Sequence, residues 1–319
     1  MGHPVTSEEP TAPVVAVVGP TASGKSDVAV ALARLLPGGG EVVNADAMQL
    51  YRGMDVGTAK LPPAERAGVP HHLLDVLDVA QAADVATYQH LARRAFDEVA
   101  ARGRRPLLVG GSGLYVRAAL DEMSFPGTDP RVRERWEAEL AERGPHALHA
   151  VLAARDPDAA ARILPGNGRR VVRALEVVEI TGRPFAASLP EQRYARPAVQ
   201  VGLAVPREQL DARIDARVRR MAGAGLVEEV RALAGRGLRE GRTASRALGY
   251  AQVLDALDGR TTLEEALELT ARLTRRFARK QESWFRRDPR VHWLDAPDGT
   301  SAAELAERAA RLAAVGCPA

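Results

Sequence analysis

The chain has 319 residues, 46% of them hydrophobic, which suits one large or two small folded domains and excludes a wholly disordered chain. Its 44 Lys and Arg against 41 Asp and Glu leave a net charge of +3, so the overall balance selects no partner and local arginine clusters matter more. The single cysteine, Cys317, excludes an internal disulfide framework and a multi-cysteine zinc site and fits a reducing cytoplasm, and no stretch approaches a membrane span.

Residues 1–13 are polar and proline-rich, with no apolar signal core, and are expected to form a disordered tail. Residues 14–18 are a β-branched run, read as a buried strand. Then comes Gly19-Pro20-Thr21-Ala22-Ser23-Gly24-Lys25-Ser26, a complete phosphate-binding loop. The spacing of Val28, Leu32, Leu35 and Leu36 predicts a helix over 27–36, stopped by Pro37-Gly38. In a strand–turn–helix of this kind, backbone N–H groups point at phosphate oxygens. Lys25 adds positive charge, and the Ser26 hydroxyl can ligate Mg²⁺. Taken alone, the loop argues for ATP or GTP.

Short apolar runs predict further strands at 41–44, 72–76, 106–110, 200–205 and 291–294, with a helix over 85–102. Strands separated by helices imply an α/β fold, a P-loop NTPase-like core with a parallel sheet flanked by helices. The alternation stops in the middle of the chain. Helical patterns at 131–143, 148–155, 157–163 and 169–181 predict a helical insertion domain over 121–197, with the core formed by 14–120 and 198–319. A second helical block is expected over 208–287.

Four constellations bear on chemistry. Asp46 follows the second predicted strand, at the strand end where open α/β sheets bind ligands. It reads either as a helix cap or surface carboxylate, or as a base for an incoming nucleophile. Gly110-Gly111-Ser112-Gly113 stands where many NTP-hydrolysing proteins end a strand in a metal-holding acid, which lowers the case for a motor-type ATPase. Asp75 and Asp78 remain as substitutes. Arg169, Arg170 and Arg173 on one helix, and Arg272, Arg275, Arg276, Arg279 and Lys280 on another, read as solvated faces when taken singly. Together with Trp284, Phe285 and Arg286, they suit single-stranded RNA. Arg213 and Arg217 alternate with Asp211 and Asp215, and the default for that pattern is a salt-bridge ladder along one helix. His71-His72 lacks metal-ligand spacing.

Several ordered motifs now converge: the phosphate-binding loop, Asp46-Ala47-Met48-Gln49-Leu50-Tyr51, Gly53 through Lys60, and Pro70-His71-His72-Leu73-Leu74-Asp75. Gly110-Gly111-Ser112-Gly113-Leu114-Tyr115, Asn167 through Glu176, Gly249-Tyr250 and Arg279-Lys280-Gln281 follow. Over roughly residues 14–294 the chain resembles the bacterial tRNA dimethylallyltransferases, of the tRNA isopentenyltransferase family. The resemblance implies transfer of a dimethylallyl group from dimethylallyl diphosphate to N6 of adenosine 37 in tRNA, with Mg²⁺.

On that resemblance the loop from Gly19 to Ser26 cradles the diphosphate, with Ser26 toward the metal. Asp46 accepts the N6 proton, Ser112 bonds near the adenine, and Arg217 contacts the diphosphate. The implied RNA contacts are Asp46, Ala47, Met48, Gln49, Arg169, Arg170, Arg173, Arg246, Gly249, Tyr250, Arg279, Lys280, Gln281 and Arg286. The implied partners are the tRNA anticodon stem-loop and dimethylallyl diphosphate, met in the cytoplasm by a monomer with no membrane attachment. Ser112 stands where Thr is more usual, Leu61 intervenes between Lys60 and Pro62, and Ala251 replaces a commonly basic residue. The zinc-binding extension of eukaryotic relatives is absent. The alternative is a P-loop kinase acting on a small molecule or nucleotide, which would turn over ATP and ignore tRNA.

Overall fold

The computed structural model describes residues 13–186 and 189–315. The tail expected at 1–13, apart from Pro13, and Cys317 lie outside the described residues. Contacts divide the chain into two compact units. One runs up to Asp121 and resumes at Tyr194; the other is Glu122–Arg193.

The first unit is built on six parallel strands: β1 (Val14–Val18), β2 (Gly40–Asn44), β3 (His71–His72), β4 (Arg105–Gly110), β5 (Ala198–Ala204) and β6 (Val291–Asp295). Their order across the sheet is β3-β2-β4-β1-β5-β6. β1 lies between β4 and β5, with Val17 in register with Val109 on one side and Val201 on the other. Every residue of β1 and β2 is buried, as a strand covered on both faces requires. One face packs on α1 (Lys25–Leu35), α7 (Arg207–Gly223) and α11 (Ala302–Val315), through Val28, Leu32, Leu210, Ile214 and Leu305. The other packs on α2 (Val85–Ala101) and α3 (Gly113–Leu120), through Tyr88, Phe96, Val116 and Leu120. A separate apolar cluster joins Tyr51 and Met54 to α8 (Leu226–Ala234) and α9 (Tyr250–Leu257), beside the long α10 (Leu263–Phe285).

The second unit holds α4 (Pro130–Arg155), α5 (Pro157–Arg162) and α6 (Gly168–Thr181), closed around Trp136, Leu148, Leu152, Val171 and Leu175. The two helices expected over 131–143 and 148–155 both form within α4, separated by a break at Gly144 (φ 77°, ψ 167°) before Pro145. One expectation needs correction. The strand predicted over 72–76 ends at His72, because Leu73 and Asp75 adopt left-handed backbone (φ 60° and 58°) that no strand continues. The helical block expected over 208–287 forms as four helices, α7 to α10, separated by Gly225 and by the turns around Gly235–Gly249 and Gly259.

Candidate active site

The carboxyl ends of β1, β2 and β4 bring three loops together. After β1, Gly24 (φ 86°) caps α1 without a side-chain acceptor, so the first helical N–H groups are left for a ligand. Lys25 Nζ donates to the Pro20 carbonyl at 2.5 Å, folding the ammonium back over its own loop. Burial, then repulsion from Arg217, with Asp46 opposing, pulls the Lys25 ammonium from 10.5 down to about 7. Burial likewise lowers the Arg217 guanidinium. This is a cluster of under-compensated positive charge.

After β2, Asn44 shapes the turn that carries Asp46. Its Oδ1 accepts the Asp46 N–H at 2.9 Å, and its Nδ2 donates to the Asp46 and Leu73 carbonyls, both at 3.0 Å. The buried Tyr88 hydroxyl donates to the Asn44 carbonyl at 3.0 Å. Asp46 Oδ1 accepts the Met48 N–H at 2.9 Å. After β4, Ser112 Oγ accepts the Ala47 N–H at 3.2 Å.

Two cavities meet on this frame. The first, about 590 Å³, carries Lys25, Ser26, Asp27, Asp46, Arg217 and Arg220 among apolar neighbours such as Val42 and Leu61. The second, about 660 Å³, is lined by Met48, Ser112, Val218, Leu273 and Phe277 with Arg246 at its wall. Thr21, Asp46, Thr58, Arg217 and Met221 line both. Arg217 Nη1 donates to Thr21 Oγ1 at 3.3 Å, fixing the guanidinium between them. An anion-binding cleft thus shares its wall, and a carboxylate, with a largely apolar pocket.

Residues 49–288 match the family model described as IPP transferase. The chain belongs to that family. A tRNA dimethylallyltransferase of Kineococcus radiotolerans is 77% identical over 95% of this chain and 97% of its own length. One of Thermobifida fusca is 68% identical over 89% and 91%. The solved structure of the tRNA isopentenylpyrophosphate transferase of Bacillus halodurans is 41% identical, with a TM-score of 0.71 over 96% of this chain and 97% of that one. A eukaryotic dimethylallyltransferase solved acting on tRNA is 26% identical, with a TM-score of 0.77 over 89% and 74%. The kinase alternative finds no support among these relatives.

In this IPP transferase the other expected site residues fall into three groups. Arg246 and Lys280 line the apolar pocket with Ala47 and Met48, while Gln49 lines the first cavity and donates to the Thr58 carbonyl at 3.2 Å. Arg279 and Arg286 lie on the exposed side of α10 and its end; Arg286 pairs with Glu282 and stacks on Trp293. Arg169, Arg170 and Arg173 lie on α6 of the second unit, where Arg173 donates to the carbonyls of Pro126 and Gly127 and pairs with Glu176.

The third group is buried. Tyr250 is fully buried, its hydroxyl donating to Glu229 at 2.5 Å, and Gly249 is buried beside it; both contribute to the lining of the apolar pocket. Gln281 is 6% exposed, with both amide ends bonded inside the protein. The expected ladder on α7 does not form either. Arg213 reaches Asp298, Asp215 takes Arg275 from α10, and Arg217 turns inward to Thr21.

Glu229 and Lys60 hold the loop over 53–60, and Glu229 lies outside every motif named above. Glu229 accepts the N–H groups of Asp55, Val56 and Gly57 at 3.0, 2.7 and 3.1 Å, pinning the 55–57 loop. Lys60 is buried between Asp55 and Asp75, each at 2.6 Å. Asp78 is paired with Arg52. The glycine and charge pattern of 53–60 is the only signal that this loop is built rather than loose. His72 bonds Glu41 at 2.6 Å and His71 its own loop, and among the described residues no cluster of three His, Cys, Asp or Glu could hold a metal. No helix among the described residues is long and apolar enough to cross a membrane.

Proposed function

We infer that this chain transfers a dimethylallyl group from dimethylallyl diphosphate to N6 of an adenosine, position 37, in tRNA. The observation that carries this reading is the shared wall. Asp46 and Arg217 face both the anion-binding cleft and the apolar pocket, so one substrate's leaving group and the other's nucleophile come within reach of the same residues.

In the reaction the bond between the allylic carbon and the diphosphate oxygen breaks, and its electron pair leaves on the diphosphate. The N6 lone pair forms the new carbon–nitrogen bond. The loop N–H groups, Lys25 and Arg217 stabilise the charge that grows on the leaving oxygen. Asp46 takes the N6 proton, because an exocyclic amine becomes acidic only as the new bond forms. Ser112 is placed beside Asp46 through Ala47 and offers its hydroxyl to the same base. The adenine must leave its stack to reach a site of this depth.

A hard cation fits the donor set: Ser26 and acid oxygens line the cleft without a dedicated cage, as suits Mg²⁺ held mainly by diphosphate and water. When bound, it would supply further charge neutralisation at the diphosphate. The exposed cations Arg246, Arg276, Arg279, Lys280 and Arg286, with Arg169 and Arg170 of the second unit, supply phosphate contacts to the anticodon stem-loop. The enzyme works in the cytoplasm, where unmodified tRNA is available, and as a monomer.

The test is direct. The chain is incubated with dimethylallyl diphosphate, Mg²⁺ and unmodified tRNA, and the nucleosides are weighed. A five-carbon gain on adenosine is expected. No gain beside clear ATP turnover would return the chain to the kinases.

A further inference from the structure

Gln281, on α10, reaches into the floor of the site with both ends of its carboxamide in use. Its Oε1 accepts the Thr21 N–H at 2.9 Å, and its Nε2 donates to the Gly111 carbonyl at 2.9 Å. The partners dictate the orientation, since a backbone N–H needs an oxygen and a carbonyl needs a donor. A Cβ at position 111 would lie 2.3 Å from Nε2 and 3.0 Å from the Gly19 carbonyl, so only glycine admits the amide here.

Each partner leads to one side of the reaction. Thr21 belongs to the phosphate-binding loop, and its hydroxyl receives Arg217. Gly111 precedes Ser112, whose hydroxyl receives the Ala47 N–H next to Asp46. One side chain, 260 residues from Thr21 and 170 from Gly111, spans the leaving-group loop and the base-bearing loops.

We propose that Gln281 is a positioning residue that sets the separation between the diphosphate loop and the Ser112–Asp46 pair, an inference that rests on the transferase reading above. Transfer requires the allylic carbon to lie in line between the departing oxygen and N6. A misplacement of about 1 Å can cost roughly 10²-fold in rate. Gln281 borders the anion-binding cleft, and its carboxamide acts through Thr21 and Gly111.

Two variants test it. Gln281→Met keeps the volume and loses both hydrogen bonds. Gln281→Glu keeps the acceptor for Thr21 but sets a second acceptor against the Gly111 carbonyl. In both, kcat is expected to fall roughly 10- to 100-fold while KM for tRNA stays within about threefold. Protonating the new carboxyl restores a donor for Gly111. The ratio of Gln281→Glu to wild-type kcat should therefore climb as pH falls from about 8 to about 6, since burial beside a carbonyl raises that carboxyl.

A normal kcat with a raised KM for tRNA would overturn the proposal and make Gln281 an RNA contact. A pH-independent ratio would also overturn it, assigning the side chain to fold stability alone. If Gln281→Met does not fold, the pH ratio of Gln281→Glu decides by itself. Wild-type enzyme is run in parallel: its failure to transfer would sink the transferase reading, whereas normal variants beside an active wild type would sink only the role of Gln281.

Discussion

The Ser112 hydroxyl accepts the Ala47 N–H at 3.2 Å, so the turn after β4 holds the turn after β2 and fixes Asp46 from the side. Asp46→Asn keeps the oxygen that receives Met48 N–H but cannot take a proton. Transfer should drop about 10²- to 10⁴-fold, the range for removing a general base, with tRNA binding nearly unchanged. Single-turnover transfer and filter binding measure the two separately. An Asp46→Asn enzyme with near-wild-type turnover would free Asp46 from its assigned task.

Lys25 gives a prediction in pH. Its folded value is near 7 against 10.5 in an unfolded chain, so between these values the unfolded state carries more protons. Without ligand, stability should rise with pH across that window and the cost be fully present below it. Diphosphate reverses the preference by favouring the charged ammonium. At pH about 8, binding should take up close to one more proton in wild type than in Lys25→Met. Calorimetry in two buffers of different ionisation enthalpy reads the difference directly; equal uptake in the two proteins would remove Lys25 as its source.

The 55–57 loop should depend on a carboxylate far away in sequence. Tyr250→Phe removes the donor to Glu229 and should cost about 1.5–3 kcal/mol, the range for a hydrogen bond to a charged group. Gly57→Ala should be destabilising too, because a Cβ there would meet the Tyr250 ring at 2.5–2.7 Å. Urea unfolding of each variant, read as a midpoint shift at constant slope, checks both.

The basic stripe of α10 divides into two kinds of cation. Arg275 is ion-paired with Asp215 of α7, whereas Arg276 and Lys280 are exposed and line the apolar pocket. Arg276→Ala and Lys280→Ala should each weaken tRNA binding and flatten its salt dependence by about one unit of slope. Arg275→Met should leave the slope alone and lower the melting temperature. A slope unchanged in Lys280→Ala would mark that stripe as ordinary solvated surface.

Much of this was legible because its causes are local. The Val14–Val18 strand, the glycine-rich turn and the helix after it follow from adjacent residues, and α6 follows from its apolar spacing with an Asn167 cap and Gly182 at the end. What escaped depends on partners distant in the chain. Arg217 looked like one rung of a helix ladder because Thr21, 196 residues away, is invisible to an i, i+4 rule. Tyr250 and Gln281 sit in motifs that suggested RNA contacts, and nothing local announces their bonds to Glu229 and to two distant loops. The short strand at His71–His72 was overestimated because apolar composition says nothing of the left-handed turn that Asn44 and Lys60 hold at Leu73 and Asp75.

The chain leaves the first unit at Asp121 and re-enters at Tyr194, and these two residues form an antiparallel bridge. Beneath them Arg290 donates to both Asp121 oxygens and stacks 4.1 Å over the Tyr194 ring, and Arg117 donates to Asp121 Oδ2 at 2.6 Å. Departure and return therefore share one doorway, locked on the sheet side. The register of β1 with β4 and with β5 is set entirely by residues of the first unit, so the sheet closes over the gap in the chain without borrowing any residue from the excursion.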